Sequence, residues 1–348
     1  MAPCQTASIT LHQNYFILMT NSGPCNRTIF IAGCGRSGTT YLRTIIDAHP
    51  DIFIPTESLF IIDYFRYGQF IPTPILQWLF FHEPQLRAWY NGTSFPIDNV
   101  SKAITRVHKH TAEQYKAKLW GQKTPRFIRH MDLFENYIPN IKWILIYRDP
   151  RAVAASMLKS TRHTYSIDRA CRRWIRDNKP IVKLLKSQNQ PRNIFILKYE
   201  TLIKDFDKVV LELFNFIGVA PISPHEIFEK GRVKAFKNSN FEVNAVRGNL
   251  KPQKNTINSW EKELTAHQVW AIEAKCFDMM ETLGYRALLG KHGFRDNSKN
   301  VLEEYKNKLK DFLILLEYMK KWPYYLIHTA LRKILFFLCS LFRIRSSN

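Results

Sequence analysis

Apolar residues along the chain fall into short uninterrupted runs, and most runs precede a segment whose apolar residues recur at helical spacing. Uninterrupted runs are typical of strands buried on both faces of a sheet, whereas helical spacing indicates one buried side. Strands that alternate with helices predict a parallel sheet covered by helices on both faces, which is an α/β fold. The predicted strands are 28–32, 142–147 and 193–199, and the predicted helices are 39–49, 150–160, 201–218 and about 265–283.

The C-terminal part of the chain has a different pattern. Residues 300–321 have the spacing of an amphipathic helix, which Pro323 ends. Residues 322–345 combine an apolar stripe with basic residues, and their uncharged runs are shorter than the roughly 18 residues of a membrane span. This segment could lie at a membrane surface, cover the protein's own core or contact a second copy in a homo-oligomer. The stripe comprises Tyr324, Ile327, Leu331, Leu335, Leu338 and Phe342, and the basic residues are Arg332, Lys333, Arg343 and Arg345.

Charge and cysteine content narrow the class of protein. Lys and Arg number 51 against 29 Asp and Glu, a net charge of +22. Such a charge favours anionic partners: a phosphorylated cosubstrate, nucleic acid, an acidic acceptor or an anionic membrane. The sequence has no helix-turn-helix, zinc-finger or RNA-binding signature, so we expect no nucleic-acid partner. The six cysteines have no metal-site spacing, and the N-terminal apolar run 15–19 is shorter than a signal-peptide core. We therefore expect a cytoplasmic protein, at most associated with a membrane, without a metal.

The segment IAGCGRSGTTYL, residues 31–42, is close to the phosphate-binding pattern G-x-x-x-x-G-K-[ST]. Gly33, Gly38 and Thr40 match this pattern, but Thr39 stands in place of the lysine. Backbone amides of a glycine turn that opens a helix form an anion site, to which the helix dipole adds. The loop therefore predicts an anion-binding turn.

Magnesium-assisted phosphoryl transfer would also need a carboxylate for the metal after a second strand. The best candidate is Asp149, but it lies between Arg148 and Arg151, which favours a structural ion pair. A sulfuryl group carries less negative charge than a phosphoryl group and needs less neutralisation. The alternatives that stay open are a P-loop kinase or nucleotidase and a non-catalytic, basic, membrane-associated binding protein.

An ordered set of motifs resembles the sulfotransferase superfamily, most closely its bacterial and tyrosylprotein sulfotransferase-like branch. The resemblance covers about residues 28–286 and implies a P-loop α/β enzyme. It implies 3′-phosphoadenosine 5′-phosphosulfate (PAPS) as sulfuryl donor, without a required metal. We expect an N-terminal tail at 1–27, a sulfotransferase domain at 28–290 and a helical, basic extension at 291–348. The motifs are GCGRSGTTYL, the glutamate in IPTESLF, GQKTP, YRDPRAVAASM, LKYETLIKD and NSWEKELT.

The resemblance also implies which residues bind the donor. The loop residues match the family's 5′-phosphosulfate-binding loop, and Arg148 and Ser156 match its 3′-phosphate pair. Tyr199 matches a tyrosine near the nucleotide, although a buried core tyrosine explains it equally well. A basic residue of 247–254 is expected to close over the donor, with Lys254 the first candidate beside Arg247 and Lys251. The loop residues are Gly35, Arg36, Ser37, Gly38, Thr39 and Thr40.

Three catalytic roles follow from the same resemblance. Glu57 aligns with the glutamate that accepts the proton of the acceptor hydroxyl or amine during in-line transfer. Lys123 aligns with the lysine that stabilises charge on the leaving oxygen, and Arg36 is expected to face the phosphosulfate. Leu59 stands where tyrosylprotein sulfotransferases have an arginine, and Ser160 stands where they have a further arginine, for which Lys159 or Arg162 could substitute.

The acceptor is expected to be a hydroxyl of a carbohydrate, lipid, small molecule or tyrosyl peptide. The segment between Leu59 and Trp120 contains no recognisable motif but is rich in aromatic residues. These residues could stack on a sugar or phenol, or could pack between helices. They are Phe60, Tyr64, Phe65, Tyr67, Phe70, Trp78, Phe80, Phe81, Trp89 and Tyr90.

Overall fold

The computed structural model describes residues 28–84, 86, 97, 99–160, 166–189, 191–230, 250–289, 306, 309–313, 316 and 323–346. The predictions for the tail 1–27, for Trp89 and Tyr90, for Arg162 and Arg247, and for most of 291–321 lie outside the described residues. The division of the chain at residues 27 and 290 stays a prediction.

A parallel sheet forms the centre of the described structure, as the apolar runs predict. Its five strands have the order β2-β3-β1-β4-β5, and every neighbouring pair is parallel. The central strand β1 lies between β3 and β4, so Ile31 pairs with Lys123 on one side and Ile144 on the other. The strands are β1 (Thr28–Gly33), β2 (Ile52–Phe53), β3 (Leu119–Lys123), β4 (Ile141–Tyr147) and β5 (Ile194–Lys198).

Helices connect the strands and cover the sheet. The chain order brings the carboxyl ends of β1, β3 and β4 to one edge, where the loops that carry the predicted site residues meet. The helices are α1 (Thr39–Asp47), α2 (Phe60–Tyr67), α3 (Thr73–Phe81), α4 (Val100–Gln114), α5 (Met131–Glu135), α6 (Pro150–Leu158), α7 (Ile167–Lys186), α8 (Tyr199–Lys204), α9 (Phe206–Ile217), α10 (Ala266–Thr282) and α11 (Pro323–Ser346).

Each face of the sheet packs on its own hydrophobic core. Alternate residues of a strand point to opposite faces, so Ile29 and Ile31 belong to one core and Phe30 and Ala32 to the other. The core on the Ile31 side includes apolar residues of α1 and α9, and the core on the Phe30 side includes residues of α2, α3, α4, α7 and α10. Both faces of β1 are therefore buried, which explains its uninterrupted apolar sequence.

The helix predicted at 201–218 is wrong in its continuity, because α8 and α9 are separate helices. Asp205 separates them with φ −117° and ψ 44°, outside the helical region. The helix predicted at about 265–283 is confirmed as α10, where Thr265 and Gln268 form a capping box. Gly284 follows it with a positive φ of 70°, a conformation that favours glycine.

The C-terminal helix α11 docks on α2 and α3 through one side. His328, Arg332 and Phe336 are buried there, and the ring of Phe336 packs edge-on against Tyr64 at 5.4 Å. Arg332, one of the basic residues of this segment, is therefore buried against the protein. Its guanidinium pairs with the partly buried Asp63 of α2 at 3.1 Å and with the buried Glu83, which follows α3. No helix among the described residues is long and apolar enough to cross a membrane.

Candidate active site

The turn between β1 and α1 carries polar groups at the carboxyl end of the central strand. Gly38 caps α1 with φ 92° and ψ 12°, and Arg36 also has a positive φ of 72°. The Ser37 amide closes the turn on the Cys34 carbonyl at 3.1 Å. The buried Ser37 hydroxyl has no hydrogen-bond partner among the described residues. A buried hydroxyl without a partner in such a turn indicates a binding site for a ligand atom that accepts a hydrogen bond.

Glycine is required at Gly38 by two separate constraints. Its positive φ disfavours any residue with a Cβ. A Cβ at this position would also lie 2.5 Å from the ring of Tyr199. At Gly35 a Cβ would lie 2.6 Å from Nη2 of Arg173. The turn is therefore packed closely between a tyrosine and an arginine from distant parts of the chain.

Three arginine side chains surround the turn. Arg36 donates through Nε to the Ser156 hydroxyl at 2.9 Å. Arg148, directly after β4, donates to the Arg36 carbonyl at 3.4 Å and to the Thr256 carbonyl at 2.7 Å. Partial desolvation, followed by the positive charges of Arg148 and Arg173, lowers the pKa of the Arg36 guanidinium. Like charges are thus held together at this end of the sheet, which favours an anionic ligand.

Tyr199 supports both the turn and Arg148. It begins α8 directly after β5, and only 7% of its surface is exposed. Its ring lies under the Arg148 guanidinium at 4.1 Å, and its hydroxyl pairs with the Thr256 hydroxyl at 3.0 Å. These contacts match those of a buried packing tyrosine, and a contact with a nucleotide base stays a prediction.

The Lys123 ammonium lies on the other side of the turn. Lys123 is the last residue of β3, and its side chain is completely buried. Its Nζ donates to the Thr40 hydroxyl at 3.2 Å and to the Glu57 carboxylate at 2.7 Å. A lysine from a neighbouring strand therefore reaches the first turn of α1, although the loop itself has a threonine at the usual lysine position.

Glu57 follows β2, and its position is fixed by the next residue. The Ser58 amide donates to the Thr124 hydroxyl at 2.9 Å, and the Ser58 hydroxyl donates to the Gln122 side chain. Ser58, Gln122 and Thr124 are buried. The Glu57 side chain, by contrast, is 46% exposed. Its carboxylate is thus anchored by Lys123 on the inside and open to solvent on the outside.

The Asp149 carboxylate is part of a buried ion-pair network, which agrees with the prediction of a structural role. It caps α6 by accepting from the Arg151 amide at 2.8 Å. The Arg151 guanidinium donates to Asp149 at 2.6 Å and to Glu273 of α10 at 2.7 Å. In the turn after β1, burial and then the charge of Asp177 raise the pKa of the Cys34 thiol. The described residues include no group of three or more His, Cys, Asp or Glu arranged to hold a metal ion.

Two other basic candidates, Lys254 and Lys159 at the end of α6, lie on the surface. Lys254 is exposed, in a short 3₁₀ turn, Lys254–Thr256, whose last residue contacts Arg148 and Tyr199. Lys159, considered as a substitute for a missing arginine, pairs with Glu263 at 2.7 Å on the surface. The structure thus brings the turn around Lys254 to the site, although no contact of its ammonium with the loop is seen.

Two residues near the turn have no motif signal in the sequence. Arg173 extends from α7 to Gly35 and lies 3.6 Å from the Asp177 carboxylate. Thr256 contacts both Arg148 and Tyr199. The spacing of Arg173 and Asp177, four residues apart, is that of any helical ion pair. Only the tertiary packing reveals that Arg173 and Thr256 lie near the turn.

The aromatic segment is mainly structural in the described residues. Phe60, Tyr64, Phe65 and Phe80 are buried in the core on the Phe30 side, so helix packing accounts for them. Trp78 differs, since 49% of its surface is exposed. Two cavities near this region, of about 790 and 250 Å³, are lined by residues other than Glu57, Lys123 and the loop. They do not define an acceptor site.

The fold is a parallel α/β sheet with a glycine turn after its central strand, and comparison with known proteins gives the family. The profile described as "Sulfotransferase family" matches residues 28–223, more than half of the chain. The chain belongs to the sulfotransferase family.

Curated relatives are similar over parts of the chain. A putative protein-tyrosine sulfotransferase of Caenorhabditis briggsae is 27% identical over 198 residues, which cover 55% of this chain and 65% of the relative. Nodulation protein NoeE of Sinorhizobium fredii is 23% identical over 312 residues, 80% of this chain and 71% of the relative. Human protein-tyrosine sulfotransferase 1 is 30% identical over 133 residues, 37% of this chain and 33% of the relative. The match thus spans less than two thirds of the worm and human relatives.

Solved structures confirm the fold. The sulfotransferase domain from the curacin biosynthetic pathway aligns with a TM-score of 0.53 and 18% identity, covering 75% of this chain and 98% of that domain. The sulfotransferase domain of the Synechococcus PCC 7002 olefin synthase aligns with a TM-score of 0.54 and 17% identity, covering 78% and 99%. At this identity the likeness establishes the fold, and the chemistry has to be argued from the site.

The packing around Gly38 gives a test of the site's construction. We expect Gly38→Ala to lower the free energy of unfolding by about 2–4 kcal/mol, from the positive φ and the clash with Tyr199 together. Gly284→Ala is the matched control, because its φ is +70° but the nearest atom to the added Cβ is 3.8 Å away. That control should lose only about 1 kcal/mol. Urea unfolding measures both, and equal losses would contradict the close packing of Tyr199 on the turn.

Proposed function

We propose that the protein transfers the sulfuryl group of PAPS to a hydroxyl or amine acceptor, using a domain that extends over residues 28–290. The observation that supports this most is the arrangement of charge around the turn. Arg36 and Arg148 lie on one side, and the Lys123 ammonium, 2.7 Å from the Glu57 carboxylate, lies on the other. An anion site therefore adjoins a carboxylate that can accept a proton.

The residues present fit a ligand with several negatively charged oxygens. The Ser37 hydroxyl and Arg148 Nε are buried polar groups without hydrogen-bond partners among the described residues. Both are able to donate to an anion. Gly35 and Gly38 let Arg173 and Tyr199 pack closely on the turn, whose amides open α1 and can bind an anion. The exposed guanidinium of Arg36 lies beside two other arginines, and the same negative charge would stabilise it.

The donor-binding roles divide between the two sides of the turn. The amides and hydroxyls of residues 35–40, with Arg36, bind the 5′-phosphosulfate end. Arg148 and Ser156 bind the 3′-phosphate, since a guanidinium can form two parallel hydrogen bonds to phosphate. Tyr199 holds Arg148 in place through the contact at 4.1 Å, and Lys254 lies in the turn that borders the nucleotide.

The catalytic roles belong to Lys123 and Glu57. PAPS, when bound, supplies an activated sulfuryl group. The buried Lys123 ammonium, which already donates to Thr40, provides positive charge beside the first turn of α1. The half-exposed Glu57 carboxylate accepts the proton that the acceptor hydroxyl or amine loses. Ser58 keeps Glu57 in reach through its hydrogen bonds to Gln122 and Thr124.

The acceptor bears a hydroxyl or amine that can approach Glu57 from its solvent side. Two of the relatives above are named as protein-tyrosine sulfotransferases, which supports a phenolic or peptide hydroxyl. Leu59 in place of the arginine of that branch argues instead for a carbohydrate, lipid or small-molecule hydroxyl. We propose the latter group as the first to be screened.

Binding of the product nucleotide tests the donor site. We expect adenosine 3′,5′-bisphosphate to bind without added magnesium, and Arg148→Ala to weaken it about tenfold to a hundredfold, the contribution of charge-assisted hydrogen bonds. Lys159→Ala, which removes a surface cation of α6 that pairs with Glu263, should leave the affinity within about twofold. Isothermal titration calorimetry measures all three. Binding that requires magnesium would support a nucleotidase instead. Binding that Arg148→Ala leaves unchanged would contradict the role of Arg148 at the 3′-phosphate.

The proton-accepting role of Glu57 has a separate test. Glu57→Gln should reduce sulfuryl transfer by about a hundredfold or more, because the amide cannot accept the proton. Its affinity for adenosine 3′,5′-bisphosphate should change little. The control is Glu263→Gln, which removes a carboxylate from the surface pair with Lys159. Transfer of radiolabelled sulfate to a panel of carbohydrate, phenolic and peptidyl acceptors gives the rates. Full activity of Glu57→Gln on any acceptor would refute this assignment.

A further inference from the structure

The helix α11 has an apolar side that remains exposed after the helix docks. His328, Arg332 and Phe336 form the docked side, each no more than 3% exposed. A different side carries six large apolar residues that are 43–59% exposed. With 3.6 residues per turn, these six lie within an arc of about 100°. They are Tyr324, Ile327, Leu331, Ile334, Leu338 and Leu341.

This exposed side is the reverse of what a surface helix normally presents. A helix packed on a globular protein usually turns its polar residues to water. Leu335, which the sequence pattern assigns to the same stripe, packs instead against the core. The exposed patch continues at one end onto α3, because Trp78 and Tyr324 each lie 6.3 Å from the His328 ring. Trp78 is 49% exposed. A contiguous apolar patch with aromatic residues at one end marks an interaction site.

The charge of the surrounding sequence distinguishes between two occupants of this patch. Residues 318–348 contain six Lys or Arg and no Asp or Glu. Only Arg332 among these cations is paired in the described docking contacts, with Asp63 and Glu83. Two copies that paired through α11 would bring like charges together, since paired helices normally match acidic with basic flanks. The headgroups of an anionic bilayer, in contrast, complement this charge.

We infer that the exposed side of α11 binds the surface of an anionic lipid bilayer, with the helix axis parallel to the membrane plane. The docked side fixes this orientation, because His328, Arg332 and Phe336 hold the helix against the protein body. Tyr324 and Trp78 lie at one end of the exposed patch, and such aromatic side chains favour the interface between headgroups and acyl chains. The binding is independent of the proposed transfer reaction, and it places the enzyme beside membrane-bound acceptors.

Vesicle flotation of the full chain tests this inference. We expect binding to vesicles of phosphatidylcholine with about a third phosphatidylglycerol to be at least about tenfold stronger than to phosphatidylcholine alone, and to weaken with salt. The double variant Ile327→Glu with Ile334→Glu should lose at least about tenfold in binding, because it places carboxylates in the contact. Leu185→Glu with Leu211→Glu is the control, since it makes the same change at exposed leucines of α7 and α9.

Two further measurements separate the outcomes. Analytical ultracentrifugation without vesicles should give a monomer at all concentrations tested. A dimer that the Ile327→Glu, Ile334→Glu variant dissociates, with no vesicle binding by the unmodified chain, would assign the patch to a second copy and overturn the inference. Equal binding to neutral and anionic vesicles, or equal losses in both double variants, would also overturn it. Circular dichroism and nucleotide affinity confirm that each variant is folded.

Discussion

The concentration of positive charge around one tight turn is the constraint on which the site depends. The guanidinium of Arg36 lies near those of Arg148 and Arg173, and these charges, after desolvation, lower its pKa. The Lys123 ammonium lies at the same turn, with no exposure to solvent. Like charges repel one another, although Lys123 is paired with the Glu57 carboxylate and Arg173 lies 3.6 Å from the Asp177 carboxylate. An anionic ligand would complement the charges of Arg36 and Arg148, which is the basis of the donor site proposed above.

The sheet and its ion pairs hold these charges in place. β1 lies between β3 and β4, so the turn after β1 meets Lys123 on one side and Arg148 on the other. The buried pairing of Arg151 with Asp149 and Glu273 ties the start of α6 to α10. Arg148 comes directly before this pairing in the chain, and Tyr199 supports its guanidinium from below. The ion pairs of Arg151 and the ring of Tyr199 therefore hold Arg148 in its position beside the turn.

Local patterns in the sequence predicted the α/β fold and the strands β1, β4 and β5, because long apolar strands and their following helices have local signatures. The short strand β2 and the mixed sequence of β3 were not predicted. Glu57 and Lys123 come from the resemblance to the sulfotransferase superfamily, and their roles stay predictions, whereas the loop and the Asp149 to Arg151 pairing follow from the residues themselves. Arg173 and Thr256 do not, since each reaches the site only through packing between elements that are distant in sequence.

The C-terminal helix illustrates the same limit. Its periodicity predicts an amphipathic helix, but it cannot tell which side faces the protein. The partners of Arg332 are 269 and 249 residues away in the chain, at Asp63 and Glu83. That pairing buries the Arg332 guanidinium and leaves the apolar side of the helix exposed. Membership of the sulfotransferase family defines the scaffold, and the proposed membrane contact depends on features such as these.

The most direct measurement is a crystal structure with adenosine 3′,5′-bisphosphate bound. We expect the 5′-phosphate on the amides of the turn after β1, within hydrogen-bond reach of the Ser37 hydroxyl. We expect the 3′-phosphate at Arg148 and Ser156. A nucleotide bound elsewhere in the protein, with the turn free of phosphate, would contradict this expectation.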